Sequence, residues 1–381
     1  MNGKKLHINR NLFQETTHSP ALVDIVPAEE QGQLTDFCFI ANPYYPTPSM
    51  MNELMRRIPE AIKAYPSSNP RIARHQLASV LSVKPEWLVL GNGATELITI
   101  IEQELLTDLS IPVPTFSEYL EKMNSAVQVH LYSLSPERDY QLDLVDYGHW
   151  LNRHGRTAAL IINPGNPTGQ LIGKEDMLDF LRKMSHLKCI LIDESFLDFS
   201  GRSASGIMKD VGHFQNVIII RSMSKHCGVP GLRLGYCYTS NEGFLKKLYH
   251  RLPAWNINSI AELFLSMLPK TTAEYWQSVD RVVADTRLLE QQLRRITGLK
   301  VYPTGSNFIL VRIEWGSTAH DVQLELLENY GVYVRDCTNK TGIDAFHLRV
   351  SSHGRVDDKL LIQSLKELSE KYSVVSSGIS C

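Results

Sequence analysis

The sequence lacks a charge bias, paired cysteines and long apolar runs, and each absence removes a class of protein. Its 39 Lys plus Arg stand against 41 Asp plus Glu over 381 residues, a formal charge of −2. Without a basic excess there is no global electrostatic footprint for a nucleic-acid backbone or an anionic membrane surface. Cys38, Cys189, Cys227, Cys237, Cys337 and Cys381 lie far apart with no CxxC pair. That fits neither a disulfide scaffold nor a structural zinc site, and suits the reduced thiols of a cytoplasmic protein. His18, His75, His226 and His347 are scattered without HxxxH spacing, so no metal is expected. No stretch reaches the ~18 uninterrupted apolar residues of a membrane-spanning helix. The opening MNGKKLHINRNLFQE has two lysines but no apolar run behind them, so no secretory signal is expected. GxxxxGKS/T and GxGxxG are missing too, which argues against nucleoside triphosphate and dinucleotide sites.

What is present is an ordinary globular composition, 43% hydrophobic and 21% charged, in a chain long enough for about two domains. Short β-rich runs fall at 87–90, 127–134, 158–164, 188–193, 216–222 and 234–239, with helix-like stretches at 94–106, 116–124, 141–153, 173–185 and 203–210. Runs apolar on both faces, separated by helices, predict a mostly parallel sheet covered on both sides. After about residue 243 the texture changes. A helical stretch over 257–298, broken near Pro269, precedes strands at 306–313, 332–336 and 346–350 and helices at 319–330 and 356–372. The expected division is an arm over 1–40, a large domain over 41–245 and a smaller α+β domain over 246–381, with the arm on the small domain or on a partner subunit.

The chemistry lies in the loops that follow the apolar strands, where open α/β sheets place their sites. In LVLGNGATELI, Gly91-Asn92-Gly93 precedes a helix opening near Ala94, and free N–H groups at a helix start suit a phosphate. INPGNPTGQ ends a strand in turn formers that direct the Asn166 amide at a ligand. ILIDESFLDF ends a strand on Asp193, a carboxylate that needs a cationic partner if buried. Most informative is IIIRSMSKHCGVPGLRLGYCYT: Ser222 and Ser224 precede Lys225, and Arg233 follows eight residues on. A lysine in so tight and partly apolar a setting can have a depressed pKa and act as an amine nucleophile toward a carbonyl.

These motifs resemble the class I/II aminotransferase superfamily, pyridoxal-phosphate enzymes of fold type I, from about residue 40 to 350. The resemblance implies a large domain with a mostly parallel seven-stranded sheet and a smaller α+β domain. It implies that Lys225 joins pyridoxal 5′-phosphate as an imine and shuttles protons, and that Asp193 pairs with the pyridine nitrogen. It further implies that Asn166 donates to the ring's O3′ oxygen and Phe116 stacks on the ring, while Gly93, Ala94, Thr95, Ser222, Ser224 and Arg233 hold the phosphate. Tyr65 matches a tyrosine that reaches the neighbouring subunit's phosphate, implying a homodimer with shared sites. Arg349 matches the arginine that grips a substrate carboxylate, with Arg335, Asn42, Tyr44 and His18 as further candidate substrate contacts.

Within the superfamily, ANPYYPTPS and the spacing of Arg335 and Arg349 resemble histidinol-phosphate aminotransferases, while DESF and VRDCTNKTGIDAFHLRV resemble threonine-phosphate decarboxylases. The expected reaction on a small amino acid is amino transfer to a 2-oxo acid, with a lyase reaction (decarboxylation, elimination or cyclisation) as the alternative. Two departures stand out. The His-Gly-Gly type segment of the decarboxylases is absent, replaced by NRNLFQETTHSPALVD. Phe196 stands where most aminotransferases carry Tyr, removing one donor to O3′. The linkage to Lys225 should therefore stay protonated to higher pH than in Tyr-bearing relatives. A spectrophotometric titration with no such rise would count against this.

Overall fold

The computed structural model describes residues 6–15, 19–121, 123–202 and 206–377. Among these residues, thirteen strands form three sheets: β1 (Thr35–Asp36), β2 (Leu88–Asn92), β3 (Asp108–Val113), β4 (Gln128–Ser133), β5 (Ala158–Ile162), β6 (Cys189–Asp193), β7 (Val217–Ser222), β8 (Leu234–Tyr238), β9 (Leu299–Val301), β10 (Phe308–Ile313), β11 (Val332–Tyr333), β12 (Arg335–Asp336) and β13 (His347–Ser351). The large sheet has seven strands in the order β2-β8-β7-β6-β5-β3-β4. Only β8 runs antiparallel to its neighbours β2 and β7. The expected α/β fold with a mostly parallel seven-stranded sheet is the observed one.

The central strands are apolar throughout because both faces are covered. Along β6, Ile190 and Ile192 belong to one buried cluster and Cys189 and Leu191 to another; Val217 and Ile219 alternate with Ile218 and Ile220 along β7 in the same way. Period-2 alternation between two hydrophobic layers leaves no polar face to read, which is why these strands appear as continuous runs. Helices supply the layers. Gly93–Leu105 buries Leu97, Ile98 and Ile101 on one side, and Lys174–Lys183 buries Met177 and Leu181 on the other.

The small sheet runs β12-β13-β10-β9 and is antiparallel. The helices Ala319–Tyr330 and Arg355–Ser377 pack on it through Val322, Leu326, Leu361 and Leu365. The helix Ser259–Leu293 contains Pro269 and leaves helical geometry at Thr271 (φ −117°, ψ 16°). Proline removes one helix bond and crowds the preceding turn, so the kink falls where the sequence places it. From the first 40 residues, β1 pairs in parallel with β11, Thr35 opposite Val332.

Four expectations need correction. β3 lies inside the large sheet, between β5 and the edge strand β4, where no strand was expected: Asp108, Ser110 and Pro112 make it read as a loop, yet all six residues are buried. The run 332–336 is not one strand. It divides at Val334, β11 joining β1 and β12 joining the small sheet. The helix expected over 116–124 shrinks to Glu118–Glu121, and the described part of 203–210 is turn rather than helix.

Candidate active site

A cavity of about 420 Å³ opens at the carboxyl ends of β5, β6 and β7, against the start of the helix Gly93–Leu105. Lys225, Asp193, Asn166, Arg233, Ser222, Ala94, Thr95, Phe116, Arg335 and Arg349 all line it. The topology explains the convergence. Parallel β5, β6 and β7 end at one edge, and antiparallel β8 begins there, opposite the end of β2, with Asn92 facing Leu234.

Lys225 lies in the single turn Met223–His226 that follows β7. Burial, with Arg349 and Arg233 nearby and Asp193 opposing, lowers its pKa to about 8. A depressed lysine pKa raises the neutral fraction near pH 7, the form that attacks an aldehyde. The rate at which the cofactor-free protein captures pyridoxal phosphate should therefore climb with pH through about 8 and level off above it. Following the absorbance change after mixing checks this; a flat profile from pH 6 to 10 would contradict it.

Asp193, buried at the end of β6, takes a hydrogen bond at Oδ2 from the Tyr119 hydroxyl (3.0 Å) and at Oδ1 from the Ser195 N–H (2.9 Å). Neither donor is a cation. Burial pushes the carboxyl above its ordinary value, partly offset by Ser195, Tyr119 and the Lys225 charge. A carboxylate in this state is suited to a cationic N–H, as a pyridinium provides.

Arg233 and Gly93 lie against each other at the start of the helix Gly93–Leu105. Gly93 has φ +78°, and a Cβ there would lie 2.5 Å from Nη2 of Arg233, so only glycine lets the guanidinium lie against the first turn of the helix. Ala94, Thr95 and Ser222 stand beside it on the cavity wall, giving helix N–H groups, a hydroxyl and a fixed positive charge. Ser224 is placed differently: it does not line the cavity, and its buried Oγ has no partner among the described residues. These residues fit pyridoxal 5′-phosphate at both its ring nitrogen and its phosphate.

Asn166 accepts at Oδ1 from Nη1 of Arg349 (2.8 Å), which leaves its amide nitrogen to donate. Arg349 also donates from Nη2 to the Cys38 carbonyl (2.7 Å) and keeps a buried Nε without a partner among the described residues. Arg335 pairs with Arg349 in register across β12 and β13 and donates to Oδ1 of Asn339 (2.9 Å).

Other expected contacts lie elsewhere. The amide nitrogen of Asn42 is spent on the His226 carbonyl (3.0 Å) and Ser278 Oγ (2.8 Å), locking the segment after Lys225 rather than facing a ligand. Tyr44 donates to Asp285 (2.5 Å) beneath the Arg281 guanidinium. Tyr65 is 87% exposed beside Trp255, outside this chain's cavity. His18 lies outside the described residues. Tyr119, Ser195 and Lys340 were not expected at the site. Ser195 follows Asp193 by two residues and Tyr119 follows Phe116 by three; either offset could have flagged them. Lys340 had only its position between two arginines.

Fold and cavity together define a pyridoxal-phosphate enzyme of fold type I. The family model for aminotransferases of class I and II matches residues 33–365, and the chain belongs to that family. It is 31% identical to the L-serine phosphate decarboxylase of Campylobacter jejuni over 92% of both chains. It is 30% identical to a histidinol-phosphate aminotransferase of Thermoanaerobacter sp., over 83% of this chain and 89% of that one. Among solved structures, a decarboxylase from Sulfurospirillum multivorans superposes with a TM-score of 0.84 at 28% identity, covering 92% of each chain. The protein is thus a pyridoxal-phosphate-dependent enzyme of the aminotransferase and decarboxylase group.

Proposed function

We propose that this enzyme decarboxylates an α-amino acid whose side chain carries a phosphate or phosphonate. The observation that carries the reading is the wall opposite the phosphate cradle, where Arg335, Lys340 and Arg349 line one cavity, each less than 10% exposed. Buried cations are costly unless an anion meets them. A substrate carboxylate would engage Arg349, and a second, doubly charged group would give the Lys340 ammonium an anion to meet. Similarity to serine-phosphate decarboxylases over nearly the whole chain supports decarboxylation over amino transfer.

When bound, the cofactor supplies a protonated ring that accepts the electron pair left as a bond at Cα breaks. Asp193, its two oxygens fixed by Tyr119 and Ser195, would keep a proton on the ring nitrogen. Asn166 would donate to the ring oxygen and Phe116 would cover the ring face. The Lys225 amine holds and returns a proton at the reacting carbon. Anchoring the substrate at two anions fixes its rotation about the Cα–N bond, which selects the bond that breaks.

The test is incubation of the purified holoenzyme with O-phospho-L-serine, O-phospho-L-threonine and 2-amino-4-phosphonobutyrate, with and without a 2-oxo acid. Carbon dioxide release without an acceptor is expected. Product formation that requires the 2-oxo acid would return the reading to amino transfer.

The same reading takes the chain as a cytoplasmic homodimer in which Tyr65 reaches the partner's cofactor phosphate, with a large domain over 41–245, a small one over 246–381 and the first 40 residues packed on the latter. Supporting the dimer, Met55, Ile62, Tyr65, Ile72 and Trp255 are all more than half exposed, an apolar surface of the kind that subunits cover. No described helix is long and apolar enough to cross a membrane. Sedimentation of the holoenzyme should give twice the chain mass; a monomer at micromolar concentration would remove Tyr65 from the site.

A further inference from the structure

Given the reading above, a substrate with two anions needs two anchors. Of the described residues before Pro20, only Ser19 reaches the cavity. The opposite wall is better equipped. Lys340 sits on the loop between β12 and β13, held by its N–H to the Cys337 carbonyl (3.0 Å). Two residues on, Gly342 has φ +87°, and a Cβ there would stand 3.3 Å from the backbone at Val113 and Pro114. The loop therefore leans on the segment that carries Phe116.

Lys340 is 7% exposed, and its Nζ donates to the Thr115 carbonyl and to Ser117 Oγ, both at 3.1 Å. These are the residues on either side of Phe116. An ammonium has three donors, and neither partner is a carboxylate. Burial and the neighbouring Arg335 and Arg349 lower its pKa to about 8, against a counter-pull from Cys337 and Glu121. A cation held beside two others, with two of its three donors on neutral oxygens and lining the cavity, is arranged for an anion that arrives with the substrate.

We propose that Lys340 is the specificity-determining residue for the substrate's phosphate or phosphonate group, gripping it together with Arg335 from the small sheet's side of the cavity.

The test compares the wild-type holoenzyme with Lys340→Met, which keeps the length and removes the charge, and with Lys340→Arg. For O-phospho-L-serine and 2-amino-4-phosphonobutyrate, Lys340→Met should raise KM roughly 10- to 100-fold, the range for one lost charge-assisted bond. KM for unphosphorylated L-serine should change less than about twofold, and Lys340→Arg should recover most of the loss. Calorimetric binding of inorganic phosphate to the holoenzyme, whose cofactor cradle is already filled, should weaken in parallel. That measurement stands even if no phosphorylated amino acid is turned over, so it separates failure of this assignment from failure of the decarboxylase reading. Equal KM increases for phosphorylated and unphosphorylated substrates would overturn the proposal, since a merely structural lysine behaves so. Unchanged phosphate binding in Lys340→Met would overturn it as well.

Discussion

Lys225→Ala is expected to fold normally, to bind pyridoxal phosphate without a covalent link, and to lose at least ~10³-fold in activity. Proton transfer by a positioned side chain contributes about 10²- to 10⁴-fold by itself, and covalent capture of the cofactor disappears with the same amine. Folding should survive because the bonds that fix this turn are main-chain: the Lys225 carbonyl accepts from the N–H groups of Asn42 (2.9 Å) and Gly228 (3.1 Å), and alanine keeps both. Removing the side chain also removes an amine whose charged form burial disfavours. Borohydride reduction followed by mass spectrometry reads the result. The wild-type chain should gain a phosphopyridoxyl group, the cofactor's mass less the oxygen lost as water, and the variant should not; a cofactor still covalently attached in Lys225→Ala would refute the assignment of the nucleophile.

The fold was legible wherever a residue type has one physical use. Continuous Val, Ile and Leu runs could only be strands buried on both faces, and β5, β6 and β7 are. A strand that ends on Asp193 or runs into NPGNPTG pointed to a site, because a buried carboxylate needs a partner and a rigid turn can aim an amide. Legibility failed where identity and environment disagree. β3 carries Asp108, Ser110 and Pro112 in a fully buried strand; Asp108 is held there by the Thr157 N–H (3.0 Å), a contact 49 residues distant. The 332–336 run looked uniform because hydrophobicity does not show that the chain passes from one sheet to another at Val334. In the site, residues joined to the cofactor chemistry through local spacing were readable. Lys340 was not, since its two partners lie more than 220 residues away. Asn42 and Tyr44 were misplaced for the opposite reason: a motif near the cavity in sequence order served to clamp His226 and Asp285 instead.

Asp193→Asn should make the cofactor-free protein more stable and the holoenzyme far less active, a pair of effects that a merely structural aspartate would not produce. The sign follows from linkage. Burial raises the folded-state pKa of Asp193 above its ordinary value of 3.8, so the folded state holds the proton more tightly than the unfolded chain. Stability then falls as pH rises from about 3.8 through the folded-state value, and above that value the cofactor-free wild type carries the whole penalty. Asparagine is isosteric and never charges. Its oxygen can still accept from the Ser195 N–H, and its amide can donate to the Tyr119 hydroxyl. Thermal unfolding without cofactor should show the variant melting higher at pH 7, with the gap closing as pH falls through the raised folded-state value toward about 4. Loading the cofactor reverses the comparison, because a ring N–H⁺ supplies the missing counter-charge. The wild type should gain clearly more in Tm from pyridoxal phosphate than the variant gains. Catalysis should fall by roughly 10²- to 10⁴-fold, in line with about 3–5 kcal/mol for breaking a buried ion pair. A variant with equal cofactor stabilisation and near-normal turnover would show that Asp193 does not meet the ring nitrogen.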